Sequence, residues 1–558
     1  MRIQSSLKLL IGFILILILT LLSSNFIEVF SRITYTYEHS SLLKLSFYFM
    51  LFLLSVGSLL ILTLIKNRIV YILFLIIGFI TLMIQQIFVA MGHNFNENDA
   101  DLMIREYAYA GDAFLTFIAI FAKVLILTIF MLSIYHLIRV KINIRFSNKY
   151  LILVLLSFLT VVGITYKTKG FYYFPSHFNV PSNFIYSYNH QIYSGKKDKP
   201  LISPKVSAKF DNILFIVDES VRADMLSLNG YGKKTTPFLD NLNNLYNYGY
   251  AITTANCSAQ AQIMLQHGTR PQDLPSRDNT LTKKANIFQY AKTAGFTTHF
   301  LDNQNITQGP VNFMSKSDFK HIDHEYKLHN MYTEKKDEHL IDFKSIDVIV
   351  DRLTQGDKNF IYLEKLGNHF IYENKSPQSH KKFLPSMTDI TDYDNKEAIL
   401  NSYLNAITWQ VDEFFNQLVE KLKDKNVLIV YVSDHGQNFN TNDTLDGVLR
   451  THCNLEDPSI YEALVPFFVI PVGDKYQKEY KTLVSSSYKE NFNHVSSFNL
   501  FPTLLVLMGY DQKEVNTHFE KTIFDDLSDQ KRVFFSGNLW NEIFFRSNNA
   551  PSEFEKIR

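Results

Sequence analysis

Long apolar runs recur within the first 166 residues of this 558-residue chain, and a water-soluble core has no place for so many of them. Each run has roughly 17 to 28 residues, which is enough for a helix to cross a hydrocarbon core of roughly 30 Å. We therefore predict an α-helical transmembrane domain of five helices over residues 1–166. The predicted spans are Leu9 to Ile27, Leu45 to Ile65, Ile69 to about Met91, about Ala113 to Ile138, and Tyr150 to Tyr166.

Positive charge is concentrated at alternate ends of these spans, which predicts their orientation. Because Lys and Arg are enriched in cytoplasmic loops, we predict a cytoplasmic N-terminus and, after an odd number of spans, export of everything beyond Tyr166. The first run is long and lacks a small-x-small cleavage site, which favours a membrane span over a signal peptide. Lys123 in the fourth run either has a function there or extends its amine to the outer interface. The basic residues are Arg2, Lys8, Lys66, Arg68, Arg139, Lys141, Arg145 and Lys149.

The remainder of the chain has the pattern of a bridging segment followed by a soluble α/β domain. Residues 167–208 are rich in aromatic residues, Pro and Asn, which suits a segment at the membrane interface or in the periplasm. Residues 209–558 alternate short buried strands with amphipathic helices, which predicts a mostly parallel sheet covered by helices on both faces. The predicted strands are Ile213–Val217, Phe360–Leu363, Val427–Val432 and Val465–Val472, and the predicted helices are Lys396 to Leu422 and Ser496 to Met508.

Charge and cysteine content exclude several classes of protein. Lys and Arg number 55 against 54 Asp and Glu, and a net charge of +1 argues against a nucleic-acid binder. The two cysteines, Cys257 and Cys453, exclude a disulfide-rich scaffold and any four-cysteine metal site. At most one disulfide can form within the chain.

Polar residues of the kinds that bind metals follow three of the predicted strands. The first strand runs into Asp218-Glu219-Ser220, the second into Gly367-Asn368-His369, and the third into Ser433-Asp434-His435-Gly436. Ligands in such folds lie at the carboxyl ends of the strands, and a carboxylate combined with an Asp-His pair suits Zn²⁺. A lone Asp-His pair is more often a turn or a helix cap. Three such groups at one edge of the sheet favour a metal site instead.

A nucleophile for this site is suggested by the segment Thr253-Thr254-Ala255-Asn256-Cys257-Ser258-Ala259-Gln260. It leads into a short helix that we expect to end at Gly268. Ser258 would lie near the N-terminus of this helix, where free N–H groups favour negative charge, and a neighbouring zinc ion would make its hydroxyl a stronger nucleophile. The alternative is that Ser258 only caps the helix, and the residues alone leave both interpretations open.

With these motifs the sequence resembles the membrane phosphoethanolamine transferases of the alkaline phosphatase and sulfatase superfamily. That group modifies lipid A and includes the mobile colistin-resistance enzymes. The resemblance covers five spans, a bridging segment and a catalytic domain. Its most specific motif is Glu219-Ser220-Val221-Arg222-Ala223-Asp224, continued by Ser227-Leu228-Asn229-Gly230-Tyr231 and Thr235-Thr236-Pro237.

The resemblance implies a role for each candidate residue. Glu219, Asp434 and His435 match the family's zinc ligands, and Ser258 matches the nucleophile, which also contacts the zinc. His369 and His452 match histidines that hold the substrate phosphate or a second zinc ion. Asn303, within Leu301-Asp302-Asn303-Gln304, matches the next strand end and is expected to contact substrate.

Four departures from the family pattern affect what can be carried over. Serine replaces threonine at position 258, and Asp218 stands where the family usually has glycine, so it becomes a possible extra metal ligand. The family's two or three disulfides cannot form, but one between Cys257 and Cys453 would hold two catalytic loops together. The sequence Gly-Asn-His-Phe around His369 differs from the commoner Gly-Ser-His-Gly-Pro, which leaves the acceptor open.

The function implied is zinc-dependent transfer of phosphoethanolamine from phosphatidylethanolamine to an envelope acceptor, lipid A above all, through a phosphorylated Ser258. The protein would be a monomer in a Gram-negative inner membrane, in contact with membrane lipids and with its catalytic domain in the periplasm. A phosphoglycerol transferase acting on an envelope glycan remains an alternative, as does a non-catalytic lipid-sensing protein. A sulfatase is disfavoured because neither Cys257 nor Ser258 begins the [C/S]-x-P-x-R pattern.

Overall fold

The computed structural model divides the chain into two compact units, Met1–Tyr193 and Ser194–Arg558. The structure describes all residues except 1, 27–28, 31–32, 35–36, 38–41, 91–93, 106–117, 169–173, 193–196, 275, 277–279, 306–311, 330–334, 355–357, 390–394, 440–443, 446–447, 450–451, 454–457, 486, 537–543, 551–552 and 558.

The first unit is helical, and four of its helices are long and apolar enough to cross a membrane. These stretches are Leu42–Thr63, Arg68–Ala90, Ile120–Lys141 and Asn148–Lys167. They confirm four of the five predicted spans. The helices described in the unit are α1 (Arg2–Leu22), α2 (Leu42–Thr63), α3 (Arg68–Ala90), α4 (Glu97–Arg105), α5 (Ile118–Lys141), α6 (Leu151–Thr168) and α7 (Ser176–Ile192).

The first of the five predicted spans is not confirmed. It falls on α1, whose apolar part, Ser6–Leu22, is shorter than the four spanning helices. At about 1.5 Å per residue such a segment is short for a hydrocarbon core of roughly 30 Å. Ile27, Met91 and residues 113–117, at the ends of three predicted spans, lie outside the described residues. The cytoplasmic location of the N-terminus stays a prediction.

Packing within the first unit separates an inner face from a face suited to lipid. Leu59 and Ile65 are fully buried, whereas Leu43, Ile69 and Ile126 are largely exposed.

Arg139, one of the predicted cytoplasmic charges, donates hydrogen bonds from Nη1 to the carbonyls of Thr63 and Ile65 at 2.8 and 2.7 Å. A cation on the carbonyls that end a helix is a favourable C-terminal cap, so this arginine has a structural role.

The second unit is built on a seven-stranded sheet with the strand order β2-β9-β6-β1-β5-β3-β4. Two smaller sheets, β10-β11-β12 and β7-β8, accompany it. The strands are β1 (Asn212–Asp218), β2 (Tyr246–Ile252), β3 (Thr297–Asp302), β4 (His324–Lys327), β5 (Asn359–Glu364), β6 (Val427–Ser433), β7 (Thr444–Leu445), β8 (Val448–Leu449), β9 (Leu464–Val472), β10 (Val533–Ser536), β11 (Phe544–Ala550) and β12 (Glu553–Ile557).

Helices accompany the sheet as the predicted α/β alternation requires. They are α8 (Pro237–Asp240), α9 (Ser258–His267), α10 (Thr280–Lys283), α11 (Ile287–Thr293), α12 (Lys316–Phe319), α13 (Ile341–Arg352), α14 (Lys396–Ile407), α15 (Phe414–Leu422), α16 (Asp474–Leu483), α17 (Leu500–Leu507) and α18 (Gln512–His518). The helix predicted from Lys396 to Leu422 is divided into α14 and α15 by a π-helical turn, Thr408–Glu413. π-turns of this kind are frequent near functional sites.

The central strands are parallel, which confirms the predicted class of sheet. β1 lies between β5 and β6 and is parallel to both, and β3 and β4 continue the parallel array. The predicted strand Val465–Val472 corresponds to β9, which runs antiparallel to β6 and to β2. A continuous apolar run reports burial on both faces but carries no information on strand direction.

Burial on both faces explains why the central strands are apolar throughout. On β1, Ile213, Phe215 and Val217 face one hydrophobic core, and Leu214 and Ile216 face the other. The register pairs Asp218 with Ser433. The segments that follow β1 and β6 therefore leave the sheet side by side, and this brings their polar residues together.

Candidate metal centre

Glu219, Asp434 and His435 form a compact group at the ends of β1 and β6. One ligand atom from each lies within 4.8 Å of the other two, and all three side chains are fully buried. Two carboxylates and an imidazole are a donor set that suits Zn²⁺. Since burying ionised carboxylates without a cation is costly, the residues present fit a divalent metal ion.

The imidazole of His435 is oriented with its Nε2 atom toward the carboxylates. Its Nδ1 atom lies 2.8 Å from the carbonyl oxygen of Gly436, so an Nδ1–H donates there and Nε2 is the atom that would bind a metal. Nε2 lies 3.2 Å from Glu219 Oε1 and 3.6 Å from Asp434 Oδ2. Burial alone would lower the pKa of His435, but the carboxylates of Asp434 and Glu219 outweigh it and raise the pKa to about 10. The same field that holds a proton there attracts a metal ion, which would displace that proton.

The backbone around Glu219 and Asp434 orients their carboxylates toward His435 Nε2. Asp434 Oδ1 accepts hydrogen bonds from the backbone N–H groups of Ser220 and His435, at 3.1 and 2.6 Å. Its Oδ2 is buried and accepts no hydrogen bond from the described residues. Ser220 adopts the left-handed conformation, with φ of 63°, directly after Glu219. Strain of this kind occurs at functional sites, and the free Oδ2 is suited to bind a metal ion.

Ser258, the predicted nucleophile, is brought to the same point by α9. Its Oγ lies 3.2 Å from Glu219 Oε2, to which it donates, and 3.0 Å from His435 Nε2. Ser258 is the first residue of α9, and Cys257 is the N-cap, so the hydroxyl lies beside free N–H groups at the positive end of the helix. Ser258 does not cap the helix. The cap alternative is wrong because the serine is one residue too late.

The end of α9 also follows the prediction. Gly268 has a φ of 56° and is the C-cap of the helix. A Cβ atom at this glycine would lie 2.5 Å from the ring of Phe501. Both the left-handed conformation and the close packing require glycine here.

A disulfide joins Cys257 to Cys453, the one pairing that the sequence allowed but left open. It connects the residue before Ser258 to the residue after His452, across 196 positions of sequence. The ring of His452 stacks on that of His435, with centroids 4.2 Å apart and an angle of 24° between planes. The disulfide thus connects the segment that bears the candidate nucleophile to the segment that bears a candidate phosphate ligand.

We predict that the variant with Cys257 and Cys453 both replaced by serine loses activity before it loses its fold. The two segments would move independently, and a displacement of about 1 Å can cost on the order of 100-fold in rate. We expect kcat/KM to fall at least about 10-fold, and the free energy of unfolding to fall by about 2–5 kcal/mol. Steady-state kinetics and thermal unfolding of the full chain measure both. Unchanged kinetics in a folded double variant would contradict a positioning role for the disulfide.

The other predicted site residues lie in different surroundings. His369 is exposed, donates from Nδ1 to the Phe370 carbonyl at 2.7 Å, and is close enough to Glu219 for electrostatic interaction. Asn303 is buried, and its amide donates to Asp342 Oδ1 and Ser345 Oγ at 2.8 and 2.7 Å. These bonds hold the amide of Asn303 within the fold, so its predicted contact with substrate has no geometric support.

Asp218, the possible extra metal ligand, is not a member of the compact ligand group. Its Oδ2 accepts hydrogen bonds from Lys365 Nζ and Tyr431 OH at 2.8 and 3.0 Å. Its Oδ1 accepts from the backbone N–H of Glu219 at 2.9 Å. Because protein donors occupy both oxygens, the prediction of Asp218 as a metal ligand is corrected to a role beside the site.

Gln304 was missed by sequence analysis. Its Nε2 donates to Glu219 Oε2 at 3.0 Å and to the carbonyl oxygen of Lys365 at 2.9 Å. It therefore contacts the same carboxylate oxygen as Ser258. Its position just after β3 could have identified it, because the polar residues after β1 and β6 already indicated a site at this edge of the sheet.

A family model described as Sulfatase matches residues 211–510, which is more than half of the chain. The chain belongs to the sulfatase family. The matched region begins just before β1 and ends after α17, so it contains the candidate metal ligands and Ser258. The predicted superfamily is confirmed.

Named relatives of this sulfatase-family chain include two curated proteins. It is 27% identical over 311 residues to the Kdo(2)-lipid A phosphoethanolamine 7''-transferase of Salmonella typhimurium, covering 53% of this chain and 51% of the relative. It is 26% identical over 320 residues to the phosphoethanolamine transferase EptA of Escherichia coli, covering 54% of this chain and 53% of the relative. The chain spans about half the length of the curated relatives it matches.

A solved structure is similar over nearly the full length. It is the integral membrane protein lipooligosaccharide phosphoethanolamine transferase A from Neisseria meningitidis, with a TM-score of 0.55 and 16% identity, covering 93% of this chain and 98% of that chain. This similarity shows the fold: membrane helices in the N-terminal region and a sulfatase-like α/β domain.

Proposed function

We propose that this sulfatase-family protein transfers phosphoethanolamine from phosphatidylethanolamine to an envelope acceptor, most directly lipid A, through a covalent intermediate on Ser258. The observation that carries the proposal is the position of the Ser258 hydroxyl, within 3.2 Å of Glu219 and 3.0 Å of His435 at a helix N-terminus. A hydroxyl beside a candidate metal site and one residue past the helix cap supports a nucleophilic role for Ser258.

The curated relatives support the substrate. Their names describe phosphoethanolamine transferases, one of them acting on Kdo(2)-lipid A. Their similarity to this chain covers about half of each sequence. We infer the same donor group and the same class of acceptor for this chain, in a Gram-negative inner membrane with the second unit in the periplasm.

The reaction requires two displacements at phosphorus. In the first, Ser258 Oγ forms a bond to the phosphorus of phosphatidylethanolamine while the bond from phosphorus to the glycerol oxygen breaks. Diacylglycerol leaves, and the proton lost by the serine hydroxyl is balanced by the one that the released alcohol gains. In the second displacement, an acceptor oxygen forms the new bond to phosphorus, the bond to Ser258 Oγ breaks, and the serine regains a proton from the acceptor.

The residues of the chain have distinct tasks in these steps. Glu219, Asp434 and His435 would hold Zn²⁺, which supplies positive charge that lowers the pKa of a hydroxyl and stabilises the charge developing on phosphoryl oxygens. The N–H groups at the start of α9 offer further stabilisation of negative charge on Ser258 Oγ. We assign binding of the phosphoryl oxygens to His452, which stacks on His435, and to the exposed His369.

The membrane unit also serves the proposed reaction. Donor and acceptor are both lipids, so attachment to the membrane raises their effective concentration at the site. Adding an amine to a lipid phosphate reduces the negative charge of the surface, which weakens the binding of cationic peptides.

Mass spectrometry of envelope lipids tests the proposed function. The full chain would be expressed in a Gram-negative host that lacks its own phosphoethanolamine transferases. We expect lipid A to gain the mass of phosphoethanolamine, and diacylglycerol to accumulate in equal amount. A phosphoglycerol mass on an envelope glycan would support the alternative transferase instead, and no modified lipid or glycan would leave the non-catalytic alternative.

A further inference from the structure

A buried lysine pairs with the residue that precedes a candidate metal ligand, without being part of the ligand group. Lys365 follows β5 and is fully buried. Its Nζ forms a close ion pair with Asp218 at 2.8 Å and a longer one with Asp342 at 3.9 Å, and it donates to the carbonyl oxygen of Gln410, in the π-helical turn. The ring of Phe414 lies 4.3 Å from the same nitrogen. A cation enclosed in this way depends on its anionic partners, of which Asp218 is the closer.

The closer anionic partner connects this lysine to the metal ligand. Asp218 accepts the backbone N–H of Glu219 on Oδ1, while Oδ2 accepts from Lys365 and from Tyr431 of β6. The side chain of Asp218 therefore links the ends of three adjacent strands, β5, β1 and β6. One of its bonds fixes the backbone of the residue that carries the candidate ligand carboxylate.

The loop after Lys365 packs against the Asp218 carboxylate and the backbone of Glu219. A Cβ atom on Gly367, whose φ is +49°, would lie 2.2 Å from Asp218 Oδ1 and 2.8 Å from the backbone nitrogen of Glu219. Asp342 holds this loop by accepting the N–H groups of Leu366 and Gly367, each at 2.9 Å. The pair and the loop thus form one packed unit around the backbone of Glu219.

We propose that Asp218 and Lys365 are positioning residues of the metal centre. Neither lies in the group of candidate ligands, and both act through Glu219. The buried pair sets the direction in which the Glu219 carboxylate leaves the strand, so that it meets Asp434 and His435. Residues that orient metal ligands from outside the coordination sphere change metal affinity by about 10–100-fold when replaced.

The test compares Asp218→Asn, Lys365→Met and the double variant in the full chain solubilised in detergent. Zn²⁺ affinity is measured by competition with a chromophoric chelator, and kcat and KM are measured separately. We expect each single variant to weaken Zn²⁺ binding at least about 10-fold, because Asp218→Asn leaves Lys365 with only the more distant Asp342, and Lys365→Met leaves both carboxylates without their cation. The double variant removes the close pair while Asp342 keeps its backbone donors, so it should recover to within about 3-fold of the parent. In each single variant kcat should fall more than KM rises.

A second buried pair in the same unit supplies the control. Lys197 and Asp318 form an ion pair at 2.6 Å, with both side chains buried. Lys197→Met should lower thermal stability without weakening Zn²⁺ binding. Single variants at 218 and 365 that bind Zn²⁺ like the parent would overturn the inference, as would equal weakening in Lys197→Met.

The inference rests on the proposed function only for the kinetic readout. A parent chain that binds Zn²⁺ but transfers nothing would overturn the proposed function alone, whereas one that binds no Zn²⁺ would overturn both.

Discussion

Replacing Ser258 by alanine is expected to lower kcat at least about 1,000-fold while leaving the fold and the Zn²⁺ content unchanged. The serine hydroxyl lies between Glu219 and His435, and no other residue is proposed to form the bond to phosphorus. Loss of a nucleophile removes a step, not a single contact, so the effect should greatly exceed that of losing one hydrogen bond. Release of diacylglycerol from phosphatidylethanolamine by the purified full chain measures this.

Ser258→Thr is the matched variant, because threonine keeps the hydroxyl. Ser258 is only partly buried, so the added methyl group has room at the start of α9. We expect Ser258→Thr to retain activity within about 10-fold of the parent, since an off-optimum geometry costs less than a missing group. Equal activity in Ser258→Ala and the parent would remove Ser258 from the mechanism.

Replacing Asp434 by asparagine is expected to remove bound Zn²⁺ and activity together. The Oδ2 atom of Asp434 has no hydrogen-bond donor among the described residues, and it faces His435 Nε2 at 3.6 Å. Asparagine keeps the shape of the side chain but supplies no negative charge for the metal. We expect Zn²⁺ to fall from about one ion per chain to a small fraction, and kcat/KM to fall at least about 1,000-fold. Metal analysis of the purified full chain and kinetics measure the two effects.

Asp412→Asn controls for the loss of a buried carboxylate. Asp412 is also buried in the second unit, where it accepts the N–H groups of Phe238 and Leu239 at 3.0 Å. This variant should keep its Zn²⁺. If Asp434→Asn still carried as much Zn²⁺ as the parent, metal binding would not depend on this carboxylate.

The sequence was most informative where one physical factor dominates. Four membrane helices follow from length and apolar composition alone, and so does the burial of β1, β5 and β6 on both faces. The direction of β9 and the break in the helix from Lys396 to Leu422 depend on tertiary contacts. Residue patterns do not carry that information, because a buried apolar run is compatible with either strand direction.

In the candidate site, too, the sequence predicts some features and leaves others to tertiary contacts. Strand ends at Glu219 and Asp434 place ligands at one edge of a parallel sheet, so the cluster could be predicted from position and chemistry. The orientation of a side chain could not be predicted in this way. Asp218 has the chemistry of a ligand but pairs with Lys365, and Asn303 is bonded within the fold while its neighbour Gln304 contacts Glu219. A lysine at the end of a buried strand was the signal that a buried anion would be needed.

The existence of a covalent intermediate is the central claim, and peptide mass spectrometry of the quenched enzyme tests it most directly. The full chain would be mixed with phosphatidylethanolamine in the absence of acceptor, quenched with acid and digested. We predict that phosphoethanolamine is attached to the peptide that contains Ser258, that the adduct is lost when lipid A is added before quenching, and that Ser258→Ala carries none. An active chain whose Ser258 peptide stays unmodified, or whose adduct lies on another residue, would contradict the account.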